Sequence, residues 1–374
     1  MRNVLVTGSR GFIGKNLCVA LGHQPDINLL RFEGNDKRAE LPDLVKRADL
    51  IFHLAGANRP VRSEEFSAVN VQLTEEIVRA LEKEGRRTPV VFSSSTQADL
   101  ATPYGKSKRR AEEVLSEWAA RRAGTVWIYR LPGVFGKWSR PDYNSVVATF
   151  CHNIARGLAV TISDPEAEVV LAYVDDVVRA FVSHLQQSEG HMTIGRGQVE
   201  PEFRVRLGAL AELIRTFRAS HVDHRMPDVA DAFVWRMYAT YVSFQDPADL
   251  SYELEQRADA RGTLAELLKS EHGGQFFVSR TAPGVTRGNH YHMSKVEKFC
   301  VLEGDATIRL QSVLGGAVTE IHVSGRDFRV VDIPPGMTHS IENVGRTEMV
   351  VLFWASEVFN RAQPDTYASE VHRG

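Results

Sequence analysis

The opening residues of the chain, MRNVLVTGSRGFIG, leave few folds open to the remainder of the polypeptide. Val4, Leu5 and Val6 make an apolar run long enough for one buried strand. The run breaks into Gly8, Gly11 and Gly14, and residues 15–21 then read as a helix. Strand, glycine-rich turn and helix form the context that a dinucleotide-binding fingerprint requires. Gly8 permits a tight turn, Gly11 lets backbone approach a pyrophosphate, and Gly14 lets the helix lie close on the sheet. The helix start then offers free N–H groups and a partial positive charge to that pyrophosphate. The loop Gly8, Ser9, Arg10, Gly11, Phe12, Ile13 and Gly14 is therefore the expected cofactor cradle.

At 374 residues the chain is long enough for two domains. It is 43% hydrophobic and 25% charged, ordinary for a soluble globular protein. A formal net charge of −2 provides no long-range field for nucleic acid or an anionic membrane, and neither is expected as a partner. Cys18, Cys151 and Cys300 are far apart in apolar surroundings, which suits buried small hydrophobes rather than disulfides or a cysteine metal site. Met1 runs straight into the first strand and no apolar run approaches a membrane span, so the expected compartment is the cytoplasm.

Residues 28–32 read as a second strand carrying Arg31 near its end. An acidic group there accepts from the adenosine ribose of NAD, whereas a basic one suits a 2′-phosphate. Arg31, together with Arg10, tips the expectation toward NADPH. Residues 50–56 read as a buried strand ending in small residues, and a cofactor would pass over that end at Leu54, Ala55 and Gly56. Residues 64–84 have helical apolar spacing, and residues 89–92 form the next buried strand. That strand runs into Ser93, Ser94, Ser95 and Thr96, followed by Tyr104 and Lys108 at the head of a long polar helix. Tyr and Lys four apart share one helix face. An ammonium beside a phenol stabilises the phenolate and lowers its pKa, preparing the tyrosine for proton exchange. A hydroxyl from the serine cluster would orient a substrate carbonyl.

TGSRGFIG, HLAG, the SSS cluster and YGKSK, in this order, resemble the extended short-chain dehydrogenase/reductase family that works on nucleotide sugars. RLPGVFG at residues 130–136 and YVDDV at 173–177 are similar to later segments of that family. The resemblance implies that Tyr104 donates or accepts the proton, that Lys108 holds the nicotinamide ribose, and that Ser95 (with Ser94 as the alternative) assists at the carbonyl. Residues 144–242 should cap the C-terminal edge of the strands, where open α/β sheets bind ligands, with Asn144, His152 and Arg156 as polar candidates there.

Between residues 243 and 260 the composition changes, and short β-type runs come after it at 275–280, 297–302, 306–310, 319–323, 329–333 and 347–354. Many short strands with regular turns indicate a sandwich or jelly roll. The expected division is residues 1–243, a Rossmann-type doubly wound parallel sheet of α/β class, and residues 250–374, an all-β domain. In the second domain His290 and His292 on one strand point the same way. With Glu297 and the distant His339 they make a site for Zn²⁺ or another divalent ion with an open position.

These clusters, a glycine, then HxH, glutamate and glycine, and later PxG followed by histidine and asparagine, resemble the paired motifs of the cupin family. That resemblance implies His290, His292, Glu297 and His339 as metal ligands. DARG at 259–262 and RGNH at 287–290 also look like the sugar-nucleotide epimerase cupins, in which the histidine matching His290 is a base. Ligand and base are both open for His290. A reductase fused to an epimerase-like cupin resembles the bifunctional capsular-polysaccharide enzymes. It implies C3 epimerisation of a UDP-4-keto-6-deoxy-N-acetylhexosamine followed by NADPH-dependent C4 reduction. The product would be UDP-2-acetamido-2,6-dideoxy-L-talose, a precursor of N-acetyl-L-fucosamine for capsule or O-antigen. A homodimer or larger assembly is implied as well. The alternative is an epimerase or dehydratase that retains NAD, with the cupin as a non-catalytic binding or dimerising module.

Overall fold

The computed structural model describes residues 1–58, 66–186, 193–254, 256–259, 262–265, 273–357, 360 and 362–371. In the N-terminal part β1 (Arg2–Thr7), α1 (Phe12–Gly22), β2 (Ile27–Phe32), α2 (Leu41–Arg47), β3 (Leu50–His53), α3 (Leu73–Lys83), β4 (Val90–Ser95), α4 (Pro103–Arg122) and β5 (Thr125–Leu131) alternate. After β6 (Gly133–Phe135) comes α5 (Val146–Ala155). The chain continues through β7 (Glu168–Tyr173), α6 (Val174–Val182), β8 (Thr193–Gly197) and β9 (Glu202–Arg206). By packing, the chain divides into two compact units, residues 1–145 with 169–205 and residues 146–168 with 206–374.

In the first unit six parallel strands form one sheet in the order β2-β1-β3-β4-β5-β8. Successive side chains of a strand point to opposite faces. Val4 and Val6 therefore pack with Leu17, Phe52 and Phe181 on one face, while Leu5 joins Ile51, Leu115 and Trp118 on the other. Both faces are covered, as a parallel sheet requires. The strand order reverses between β1 and β3, and ligands of such sheets bind beyond the strand ends at that point. α4 is started by Thr102, whose hydroxyl accepts from the Gly105 N–H at 3.0 Å, and by Pro103 in its first turn. Its buried stripe of Ala111, Leu115, Trp118 and Ala119 seats it on the sheet and so aims its first turn at the strand ends.

The second unit adds α7 (Leu207–Asp223) and α8 (Ala232–Val242). Its strands begin with β10 (Ser251–Tyr252), β11 (Gln256–Asp259), β12 (Gly262–Ala265), β13 (Gln275–Thr281) and β14 (Thr286–Tyr291). They continue with β15 (Glu297–Glu303), β16 (Asp305–Ser312), β17 (Thr319–Ser324) and β18 (Val330–Ile333). The last are β19 (Met337–Asn343), β20 (Met349–Ala355) and β21 (Tyr367–Ala368). Two five-stranded sheets, β10-β18-β15-β20-β13 and β17-β16-β19-β14-β21, enclose Phe299, Val301, Ile308, Val331, Ile341 and Phe353. Outside one sheet a buried ionic cluster joins it to α7. Lys298 Nζ lies 2.5 Å from Asp332 Oδ1, His221 Nε2 lies 2.9 Å from Asp332 Oδ2, and Tyr252 stacks on His221. Thus α5, α7 and α8 pack in the unit that holds the β-sandwich, although the composition changes only after residue 243. No helix among the described residues is long and apolar enough to cross a membrane.

Candidate active site and metal centre

In the first unit a cleft of about 550 Å³ opens over the strand ends, walled by the glycine loop, by Leu54 and Gly56, by Ser93 to Thr96, and by Tyr104 and Lys108. The loop geometry demands glycine. Gly8 has φ +71°, and a Cβ there would lie 2.8 Å from the Ala55 backbone. A Cβ on Gly14 would lie 2.1 Å from the Gly8 carbonyl oxygen, so any other residue pushes α1 off the turn. Gly8, Arg10, Gly11, Phe12, Ile13 and Gly14 all face the cleft, while Ser9 is buried behind them. Ala55 supports Gly8 from below.

One expected cofactor contact is placed differently. Arg31 is exposed on β2 and its side chain reaches Cys18. The group set against the glycine loop is Glu33, two residues later: it accepts the Ser9 hydroxyl and, at 3.2 Å, the Arg10 N–H. Sequence reading missed Glu33 because it lies past the strand end, where alternation no longer says which way a side chain points.

The serines separate by function. The Ser94 hydroxyl donates to Glu112 at 2.5 Å, and Glu112 is gripped by Arg130 at 2.7 and 2.8 Å. Ser95 instead hydrogen-bonds Tyr104. Lys108 is 5% exposed and donates to the Ser93 carbonyl at 2.9 Å. Burial lowers its ammonium to about 8, with Glu112 acting in the opposite direction. Burial also holds the Tyr104 phenol above its usual value, and the Ser95 hydrogen bond only partly opposes this. The expected depression of the Tyr104 pKa by Lys108 is absent: burial raises the phenol, Ser95 alone opposes it, and the Lys108 ammonium is turned to the Ser93 carbonyl.

Behind the cleft runs a hydrogen-bond chain that sequence reading also missed. Thr74 donates its hydroxyl to the Asn70 carbonyl at 2.7 Å, so it accepts from His53 Nε2 at 2.9 Å. His53 Nδ1 must then accept from Thr7 at 2.8 Å. Burial drops His53 to about 3, which keeps the ring neutral in this role. The Asn70 side chain clasps Ala57 N and O at 2.8 and 3.0 Å and Ser107 at 2.9 Å, tying the Gly56 turn to α4. Asn144 lines the same cleft. His152 and Arg156 lie in the other unit, and Arg156 is engaged there by Asp246 at 2.5 Å.

In the second unit one donor atom each from His290, His292, Glu297 and His339 lies within 4.8 Å of the others. His290 is on β14, directly opposite His339 on β19; His292 lies just past the end of β14, after a bulge, and Glu297 starts β15. His292 Nδ1 faces the Asp365 carbonyl at 2.5 Å and His339 Nδ1 faces the Met337 carbonyl at 3.3 Å. Carbonyls only accept, so both Nδ1 atoms carry the hydrogen and both Nε2 atoms present bare lone pairs. Those two Nε2 atoms are buried without a hydrogen-bond partner and converge on Glu297 Oε2 at 3.1 and 3.4 Å. Lone pairs converging on a carboxylate oxygen repel it unless a proton or a metal ion lies between them. Ligand bonds of about 2.0–2.2 Å at tetrahedral angles would separate the donors by about 3.3–3.6 Å, close to the 3.1 and 3.4 Å between Glu297 and the two imidazoles, so His292, Glu297 and His339 fit a divalent ion. Burial, then His339 and His292, push His290 down to about 4; it is the least buried of the four.

Residues 4–195 match the NAD dependent epimerase/dehydratase family, and residues 257–367 match the polysaccharide biosynthesis C-terminal domain. Over 372 residues the chain is 44% identical to UDP-2-acetamido-2,6-beta-L-arabino-hexul-4-ose reductase of Pseudomonas aeruginosa, covering 99% of each. The chain belongs to the NAD dependent epimerase/dehydratase family. The solved structure of the capsular polysaccharide assembling protein CapF from Staphylococcus aureus is 39% identical, with a TM-score of 0.66, covering 99% of this chain and 100% of that one. This family member is therefore a short-chain dehydrogenase/reductase of Rossmann type fused to a C-terminal cupin. A UDP-glucuronic acid 4-epimerase from Bacillus cereus, 18% identical, covers 58% of this chain and 84% of its own at a TM-score of 0.51, and shares the N-terminal fold alone.

Proposed function

We propose that the chain is a bifunctional nucleotide-sugar enzyme. Its cupin inverts C3 of a UDP-4-keto-6-deoxy-N-acetylhexosamine, and its Rossmann unit reduces the C4 ketone with NADPH to UDP-2-acetamido-2,6-dideoxy-L-talose. The observation that carries this reading is the meeting of Tyr104, Ser95 and Lys108 on the wall of the glycine-loop cleft. The end-to-end likeness to a 4-ketose reductase supports the substrate class. Bound NADPH supplies the hydride, and a bound Zn²⁺ supplies charge stabilisation for a developing anion.

The chain's own residues do the rest. Tyr104, protonated at working pH because burial raises it, donates its proton to the C4 oxygen as negative charge develops there. Ser95 donates a second hydrogen bond to that oxygen and fixes its position. Lys108, fixed on the Ser93 carbonyl, offers its ammonium to the phenolate left behind and to the cofactor ribose. Arg10, exposed on the glycine loop, meets the 2′-phosphate. In the cupin the 4-keto group acidifies C3–H. His290, neutral above about pH 4, takes that proton to leave an enolate, a solvent-derived proton returns to the opposite face of C3 to invert it, and His292, Glu297 and His339 would hold the ion. The enzyme works in the cytoplasm as a homodimer or larger assembly.

Glu33 against Ser9 and Arg10 favours a second reading, in which NAD without a 2′-phosphate is retained and recycled while the cupin only binds. Incubation with the 4-keto UDP sugar and NADPH in heavy water separates the two. The proposal expects one NADPH oxidised per product, with deuterium at C3 by NMR. A C4 epimer formed without loss of NADPH absorbance would establish the retained-NAD reading instead.

A further inference from the structure

One carboxylate outside the four clustered residues gathers an unusual share of the surrounding backbone. Asp365 Oδ1 accepts the Met293 N–H at 2.7 Å, and Oδ2 accepts the Ser294 and Lys295 N–H groups at 2.8 Å each and the Ser294 hydroxyl at 3.0 Å. These three residues are the turn between His292 and Glu297. The carbonyl of the same Asp365 accepts His292 Nδ1, which decides that Nε2 is the atom left bare. The segment then runs on as β21, pairing Tyr367 with Tyr291 and Ala368 with His290. Ser369 N donates to the Asn289 carbonyl at 2.9 Å, and its hydroxyl meets Thr338, the neighbour of His339, at 3.0 Å. Residues 365–369 therefore touch every segment that carries one of the three imidazoles.

We infer that residues 365–369 are a strap that builds the cupin metal site, with Asp365 as its positioning residue. This rests on the divalent-ion reading of His292, Glu297 and His339 with His290 beside them. Without the strap the 293–295 turn loses the acceptor for three backbone N–H groups, and His292 loses the partner that sets its tautomer. Docking of the strap and binding of the ion then support each other, since each orders what the other needs.

Asp365→Asn keeps size and shape but replaces one acceptor oxygen with an NH₂ that faces backbone donors. Zn²⁺ affinity of the full-length apoprotein, measured by competition with a chromogenic chelator, should fall about 10–100-fold, as when a ligand-orienting partner is lost elsewhere. Loaded with Co²⁺, the wild type should show intense four-coordinate ligand-field bands, and D365N should show them weakened or shifted. Ser369→Ala, which removes one contact at the far end of the strap, should give a smaller loss and serves if D365N does not fold. Folded D365N or S369A proteins with wild-type Zn²⁺ affinity and unchanged Co²⁺ spectra would overturn the strap. A wild type that binds neither metal would overturn the metal reading itself, and the strap with it.

Discussion

Tyr104 and Ser95 are bound to each other, while Ser94, one residue earlier, points into the Glu112–Arg130 pair. Both serines line the cleft, but adjacent residues on a strand face opposite ways, so Ser95 is directed at Tyr104 and Ser94 at Glu112. Tyr104→Phe should lower the rate of ketone reduction by about 10²–10⁴-fold, the span of general-acid catalysis, while a fluorescence titration finds NADPH affinity nearly unchanged. Ser95→Ala should lower kcat, whereas Ser94→Ala should act on thermal stability through the buried Glu112. Equal kcat losses from both would contradict the assignment. Lys108 has its pKa lowered to about 8, so its ammonium is present below that pH and lost above it. The reduction rate should therefore fall as pH rises through about 8, and a rate still flat two pH units higher would remove Lys108 from the mechanism. The Tyr–Lys pair was legible in the sequence from its spacing. Glu33 and Asn70 were not, because nothing in periodicity marks a residue that lies past a strand end or folds back on a turn.

The glycine turn and α1 were readable as an element because the turn has no room for side chains. Gly14→Ala places a methyl 2.1 Å from the Gly8 carbonyl oxygen, so the turn or the helix must move. Cofactor affinity should fall on the order of tenfold or more, and an alanine variant that binds NADPH normally would show that the loop does not need that closeness. The cupin strands were harder to read. Six apolar runs stood out in the sequence, yet β14 and β19, which carry His290 and His339, were absent from them. β14 reads TRGNHY and is largely exposed along its length, so it lacks the apolar alternation that marks a half-buried strand. Its histidines were placed on one strand from the HxH spacing alone, and the structure keeps His290 on β14 but sets His292 just past its end. The bulge and the end of β14 before His292 were invisible for the same reason.

At the scale of the molecule, composition and packing divide the chain in different places. Composition turns β-rich after residue 243, but α7 lies against the sandwich through His221 and the fully buried Lys298–Asp332 pair. Sequence patterns show the helical period of α7 but not which layer its polar residues meet. A fragment of residues 250–374 leaves Asp332 without His221 and opens the pair to water, so it should melt well below a fragment of residues 206–374. Lys298→Met in the full chain should cost about 3–5 kcal/mol, the usual penalty for a buried charge stripped of its partner. Equal melting temperatures for the two fragments would mean that the helices add nothing to the sandwich.

The central claim, two reaction centres on one polypeptide, is tested most directly by deuterium uptake at C3 of a 4-keto UDP sugar in heavy water with the Tyr104→Phe enzyme. The account predicts that this variant labels C3 at close to the wild-type rate without oxidising NADPH, and that His290→Ala abolishes the label. Loss of exchange in Tyr104→Phe, or full exchange in His290→Ala, would contradict it.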